Sequence, residues 1–148
     1  MATFDDLLPP ARSPADYLAL VGDPRAGQDI LRLLAASPYN FVRSAVADSP
    51  RADAATLATI RVDDLNCWTR NHILAATARH PNADRSTLLR VLRETRSSLN
   101  RPGERPYAAA LALARRPELT VQEIETLATC RNASRRMVRG LRRGLALR

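Results

Sequence analysis

Short runs of apolar residues one helical turn apart recur along the chain, each behind a proline and a capping residue. Leu57 and Ile60 follow Asp53; Leu88, Val91 and Leu92 follow Asp84; Ile124 and Leu127 follow Thr120. A side-chain oxygen just ahead of a helix accepts from its unpaired N–H groups, so Asp53, Asp84 and Thr120 are predicted N-caps. Thr120 with Glu123 reads as a full capping box, and Leu119 with Ile124 as a hydrophobic staple across it. Ser13, Pro14 and Asp16 read as N-cap, N1 and N3 of an earlier helix ending at Gly22. Ser97 to Gly103 reads as a mobile loop. Asn132 is expected to cap a last helix over 133–147, with Met137, Leu141 and Leu145 on one stripe.

These segments repeat. Pro50-Arg51-Ala52-Asp53-Ala54-Ala55-Thr56-Leu57 aligns with Pro81-Asn82-Ala83-Asp84-Arg85-Ser86-Thr87-Leu88, with Pro, Ala, Asp, Thr and Leu at identical offsets. Looser copies start at Pro117 and at Pro24. Ala47-Asp48-Ser49, Ala78-Arg79-His80 and Ala114-Arg115-Arg116 precede three of these prolines, and a helix ends there because the residue before Pro is pushed out of the α region. Each unit is therefore two short helices, and a pair this short buries its stripe only by stacking on a neighbour. The expected fold is all-α: a short right-handed α-solenoid of stacked helix pairs in one domain over 1–148. Residues 1–23 would be an N-terminal cap, 24–128 about four repeats, and 129–148 a basic C-terminal capping helix.

The stretch Asn40-Phe41-Val42-Arg43-Ser44-Ala45-Val46-Ala47-Asp48-Ser49-Pro50 resembles the leucine-rich repeat variant family, whose units carry a Val-Arg, an Ala-Val-Ala and a closing proline. The resemblance extends over residues 24–128 and implies a solenoid of α and 3₁₀ helices with a binding role. The next unit departs from it, since Arg70 stands four residues further from Pro81 than Arg43 does from Pro50. The third has Arg105-Pro106-Tyr107 where a Val-Arg belongs, so the later units look more like HEAT-type pairs. Some family members carry a Cys-rich iron–sulfur segment, for which Cys67 and Cys130 offer no counterpart.

Composition agrees with helices. Ala and Leu number 46 against 11 Val and Ile. No apolar run is long enough to span a membrane, and Asp5 and Asp6 stand where a signal peptide would be basic, so a cytoplasmic protein is expected. Two cysteines, too few for a disulfide scaffold, suit a reducing compartment.

Charge is uneven. All 23 basic residues are Arg, and the net charge is +8. Residues 1–74 carry −2 and residues 75–148 carry +10, with seven Arg and no acid within 131–148. Lys-free composition suits a GC-rich genome as well as an anionic partner. Around the last helix, Arg135, Arg136, Arg139, Arg142 and Arg143 are candidate anion or nucleic-acid contacts, and equally the polar coat that a terminal repeat needs. Arg79, Arg115, Arg116 and Trp68 are secondary candidates.

Catalytic patterns are weak. Cys67 and His72 lie outside any nucleophile motif, and Cys67 reads as a buried helical residue. His72 and His80 lack ligand spacing, so no metal or cofactor is expected. Asp63 and Asp64 suit an N-cap and a solvated turn. Trp68 is expected to fill the core between repeats; beside Tyr107, Arg70, Arg79 and Arg105 it would otherwise stack on a single strand. The first expectation for function is a non-catalytic scaffold that docks a partner protein. The alternative is sequence-independent binding of DNA or RNA through the Arg-rich C-terminal half. A relative of the HEAT-like alkylpurine DNA glycosylases is the distant third, carried by fold analogy alone.

Overall fold

The computed structural model describes residues 1–148 as ten α-helices with no strand. They are α1 (Phe4–Leu7), α2 (Pro14–Val21), α3 (Gln28–Ala35), α4 (Asn40–Asp48), α5 (Ala54–Thr59), α6 (Cys67–Arg79), α7 (Arg85–Leu99), α8 (Tyr107–Ala114), α9 (Val121–Glu125) and α10 (Arg135–Ala146). A 3₁₀ turn, Thr126–Thr129, continues α9. None of the helices is long and apolar enough to cross a membrane.

The local signals act as their chemistry dictates. Asp53 accepts from the Thr56 N–H, Asp84 from the Thr87 N–H, and Thr120 forms its capping box with Glu123. Ser13 and Asp16 form another at α2, whose C-cap is Gly22. Helices α3, α5, α7 and α9 each begin four residues after a proline: Pro24, Pro50, Pro81 and Pro117. Around each proline the N–H two residues later donates to the carbonyl of the residue before it, at 3.0–3.2 Å: Ala26 to Asp23, Ala52 to Ser49, Ala83 to His80, Leu119 to Arg116.

These four turns are stitched together by side chains. The carbonyl two residues after each proline accepts from a residue further along the chain: Ala26 from Arg51, Ala52 from Asn82 at 3.0 Å, Ala83 from Arg116 at 2.9 Å, and Leu119 from Arg148. Buried carbonyls need partners, and a long polar side chain supplies them where the backbone cannot.

Helices α2, α4, α6, α8 and α10 pack each against the next, and α3, α5, α7 and the 3₁₀ turn form a second series. Leu31, Leu34, Leu57, Leu88, Val91, Leu113, Ile124 and Leu127 join one cluster of 36 buried apolar residues. Helix α10 runs parallel to α8, because a Cβ on Gly140 would meet Leu111 and one on Gly144 would meet Ala114.

Four expectations are corrected. Helix α7 runs through Leu99, with Ser98 and Leu99 buried, so the connection starts only at Asn100; the stripe Leu88, Val91, Leu92, Thr95, Leu99 keeps helical period across the two serines. Helix α10 is capped by Ser134, not Asn132, whose amide instead donates to the carbonyls of Arg101 and Glu104. Asn66, not an aspartate, caps α6. Cys67, at the first position of α6, is half-exposed, whereas Cys130 is buried; both thiols are unpaired.

Candidate functional site

Helical residues three apart share a face, so the second and fifth residues of a helix point the same way. In the series α2, α4, α6, α8 and α10 at least one of these two positions is exposed. They carry Leu18 in α2, Phe41 in α4, Trp68 in α6 and Leu111 in α8, all exposed large apolar side chains. In α10 the same two positions are Arg136 and Arg139. One face therefore changes from apolar to cationic along a single row of helices.

Trp68 is the extreme case, at 84% exposed. It does not fill the core between repeats, the place expected of it. The core beneath α6 is closed by Ile73, Leu74, Ala75, Ala76 and Ala78, which leaves the N-terminal turn of the helix outside. Towards the N-terminus the apolar strip is backed by a run of rings that sequence reasoning missed. Phe4 meets Tyr17 edge-on at 6.4 Å, Tyr17 meets Tyr39 at 6.2 Å, and Tyr39 stacks on Phe41 at 5.7 Å. These residues are up to 37 positions apart in the chain, and no local pattern links them.

The arginines divide sharply into structural and free. Arg116, a sequence candidate, is spent on the fold: it donates to the carbonyls of Ala78, His80 and Ala83 and pairs with Glu118. Arg43 and Arg70 are buried and paired with Asp64 and Glu104, so Arg70 does not share a surface with Trp68. Arg85 pairs with Glu123, whose carboxyl is held at about 2 by that guanidinium and by the Thr120 N–H. By contrast Arg79, Arg105, Arg115, Arg135, Arg136, Arg139, Arg142 and Arg143 are exposed and make no ion pair.

Arg61, Arg93 and Arg96 are likewise exposed and unpaired, but six of the free arginines stand together on α10 and at the end of α8. Gly144 brings α10 close enough to α8 that its Cβ would lie 3.4 Å from the Arg115 Cγ, so Arg115 lies alongside the Arg-bearing end of α10. Arg135, Arg139 and Arg142 line one shallow cleft with Ala133 and Val138. Arg79 closes α6, the helix on the other side of α8.

His72, His80, Cys130 and Tyr107 each contact other residues of the fold. His80 is buried between the Ser49 carbonyl, 2.8 Å from its Nε2, and the Asn82 N–H, which donates to Nδ1. His72 meets Asp48 at the surface at 2.9 Å. Burial pushes the Cys130 thiol above its ordinary range, away from nucleophilic use at neutral pH. No group of three or more His, Cys, Asp or Glu side chains gathers where a metal ion would sit. Tyr107 opens α8, but its hydroxyl donates to the Asn132 carbonyl at 2.7 Å, which ties the ring to the fold. Comparison with protein-family models, with curated proteins and with solved structures finds no match.

Proposed function

We propose that the chain is a non-catalytic, cytoplasmic helical-repeat module, a short right-handed solenoid similar to leucine-rich repeat variant and HEAT proteins, that docks a partner protein. The four stitched proline turns support the repeat reading, since a solenoid is a series of units each bonded to its neighbour. The binding surface is the outward face of α2, α4, α6 and α8. The observation that carries this is the line of exposed Leu18, Phe41, Trp68 and Leu111 across four neighbouring helices of one row. Interface cores are enriched in aromatic side chains in this way, with polar residues around them. Asp48, His72, Arg79 and Arg115 supply that rim. Trp68 is the central anchor, because a nearly bare indole has the most apolar area to lose on docking.

Photo-crosslinking tests the assignment. A photoreactive amino acid at position 41 or 68, in cells of the source, should give the same discrete protein adduct. The same group at Gln122, exposed on α9, should give none. Adducts alike from all three positions, or none from positions 41 and 68, would remove this face as the docking surface.

A further inference from the structure

We propose that the outer face of α10, extended by Arg115, binds the phosphate backbone of duplex nucleic acid without reading its bases. This surface continues the row that carries the apolar strip and meets it at Leu111 and Arg115, but the α10 arginines take no part in the docking proposed above, so either reading can fail alone. Arg135, Arg139 and Arg143 stand at i, i+4 and i+8, so they form one stripe with steps of about 6 Å along the axis. Arg136 and Arg142 flank the stripe, and Arg115 reaches alongside its end over Gly144. None of the six has a carboxylate partner, and no acid occurs within α10. Planar guanidinium groups bind phosphate oxygens in pairs, and every such contact releases a counterion from the polyanion.

Three features select duplex nucleic acid from among anionic partners. A lipid surface needs a free apolar helix face, but Met137 and Leu141 are each 2% exposed and Gly144 is pressed against Ala114. A protein interface needs an apolar centre, whereas here the exposed large apolar side chains stand only at the edges: Leu147 beyond the last turn and Leu111 of α8 beside Gly140. A single strand needs rings to stack on, and the exposed aromatic residues, Tyr39, Phe41 and Trp68, all lie at or before α6. What remains is a strongly cationic, ring-free face, bordered by Glu125 where α9 shares a cleft with Arg142, which suits contacts that are almost all to backbone.

The test is anisotropy with the full chain and a labelled mixed-sequence 20-mer duplex at about 50 and 200 mM NaCl. Four phosphate contacts predict a loss of affinity of about 100-fold across that range. Changing the duplex sequence should change affinity less than about twofold. The quadruple variant Arg135→Gln, Arg139→Gln, Arg142→Gln, Arg143→Gln should lose at least tenfold at low salt and most of the salt dependence. The corresponding four Arg→Lys changes should keep that dependence. Arg61→Gln with Arg93→Gln and Arg96→Gln removes exposed, unpaired charge elsewhere and should leave binding within about threefold. No duplex binding at low salt, or an equal loss in that control, overturns the proposal. So does tighter binding to a 20-mer single strand or to phosphatidylglycerol vesicles.

Discussion

Both terminal nitrogens of Arg43 close on the Asp64 carboxylate, at 2.9 and 3.0 Å, from a side chain buried in α4. Arg43 also donates to the Arg61 carbonyl, so a single side chain fixes the segment leading into α6. Arg70 repeats the arrangement one helix on, donating to the Leu65 carbonyl and to Glu104 ahead of α8. Both arginines are the fourth residue of their helix. The Asp64 side chain is 47% exposed and water can serve it once the guanidinium is gone, but the Arg61 carbonyl loses its donor. Arg43→Met keeps the stem and loses the fork, and should cost about 2–3 kcal/mol in urea unfolding. The Arg43 guanidinium also holds the Asp64 carboxyl below its ordinary value of 3.8. A carboxylate with a lowered folded pKa contributes stability that is complete above its unfolded value and fades as pH falls through the folded one. The stability gap between wild type and Asp64→Asn should therefore close below about pH 4 and stay constant above about pH 5.

Glu123 offers a direct reading of the same principle. Arg85 from α7 grips it with two nitrogens, at 2.6 and 3.0 Å, and the Thr120 N–H adds a third bond. Its carboxyl should titrate near 2 by carbon-detected NMR, against an ordinary value of 4.5. Arg85→Ala leaves the capping box intact, so the midpoint should rise only part of the way. A midpoint that stays put would mean that the cap, not the arginine, holds it down.

How far the sequence reveals this arrangement depends on the range of the interaction. Asp53, Asp84 and Thr120 cap helices through atoms three residues away, so their role is legible from spacing alone. The extra four residues of the second unit look like a displaced Arg70 when aligned on Pro81. Aligned on the helix start, Arg70 has not moved: α6 has four more residues than α4, one turn, added at its C-terminal end. The exposure of Trp68 and the joining of Phe4, Tyr17, Tyr39 and Phe41 depend on tertiary packing, which periodicity does not encode. Nor does charge patterning separate Arg115 from Arg116.

Those two neighbours should behave oppositely. Arg116 serves three carbonyls and Glu118 from a largely buried side chain. Arg116→Met should cost about 2–3 kcal/mol, and Arg116→Lys should recover less than half, since an ammonium cannot span the same fork. Arg115 is exposed and unpaired, so Arg115→Gln should stay within about 0.5 kcal/mol. Urea unfolding of the three variants settles the assignment, and equal costs at both positions would contradict it.

Gly140 and Gly144 face α8 with different tolerances. A Cβ on Gly140 would fall 2.4 Å from a terminal methyl of Leu111, a side chain exposed enough to rotate away. On Gly144 it would meet the Ala114 Cβ at 3.0 Å, which has no rotamer to change. Ala in place of helical Gly gains up to about 1 kcal/mol in propensity. Gly140→Ala should therefore match or exceed wild-type stability, while Gly144→Ala falls below it, as read by thermal melting of both. The reverse order would mean that α10 approaches α8 at a different register.

Trp68 separates the folded architecture from its use. A tryptophan packed between repeats would cost about 3–5 kcal/mol on truncation to Ala. An exposed one on the first turn of α6 should cost no more than about 0.5 kcal/mol, with far-UV circular dichroism unchanged. As the sole tryptophan it also reports on itself: in the free protein its emission should be that of a hydrated indole and open to acrylamide quenching. If the apolar strip docks a protein, the emission should shift to the blue and lose that quenching on binding. Duplex DNA bound at α10 should leave it unchanged, because Trp68 stands on α6 with α8 between it and the arginine face. A blue shift with DNA alone would mean that the two surfaces are one.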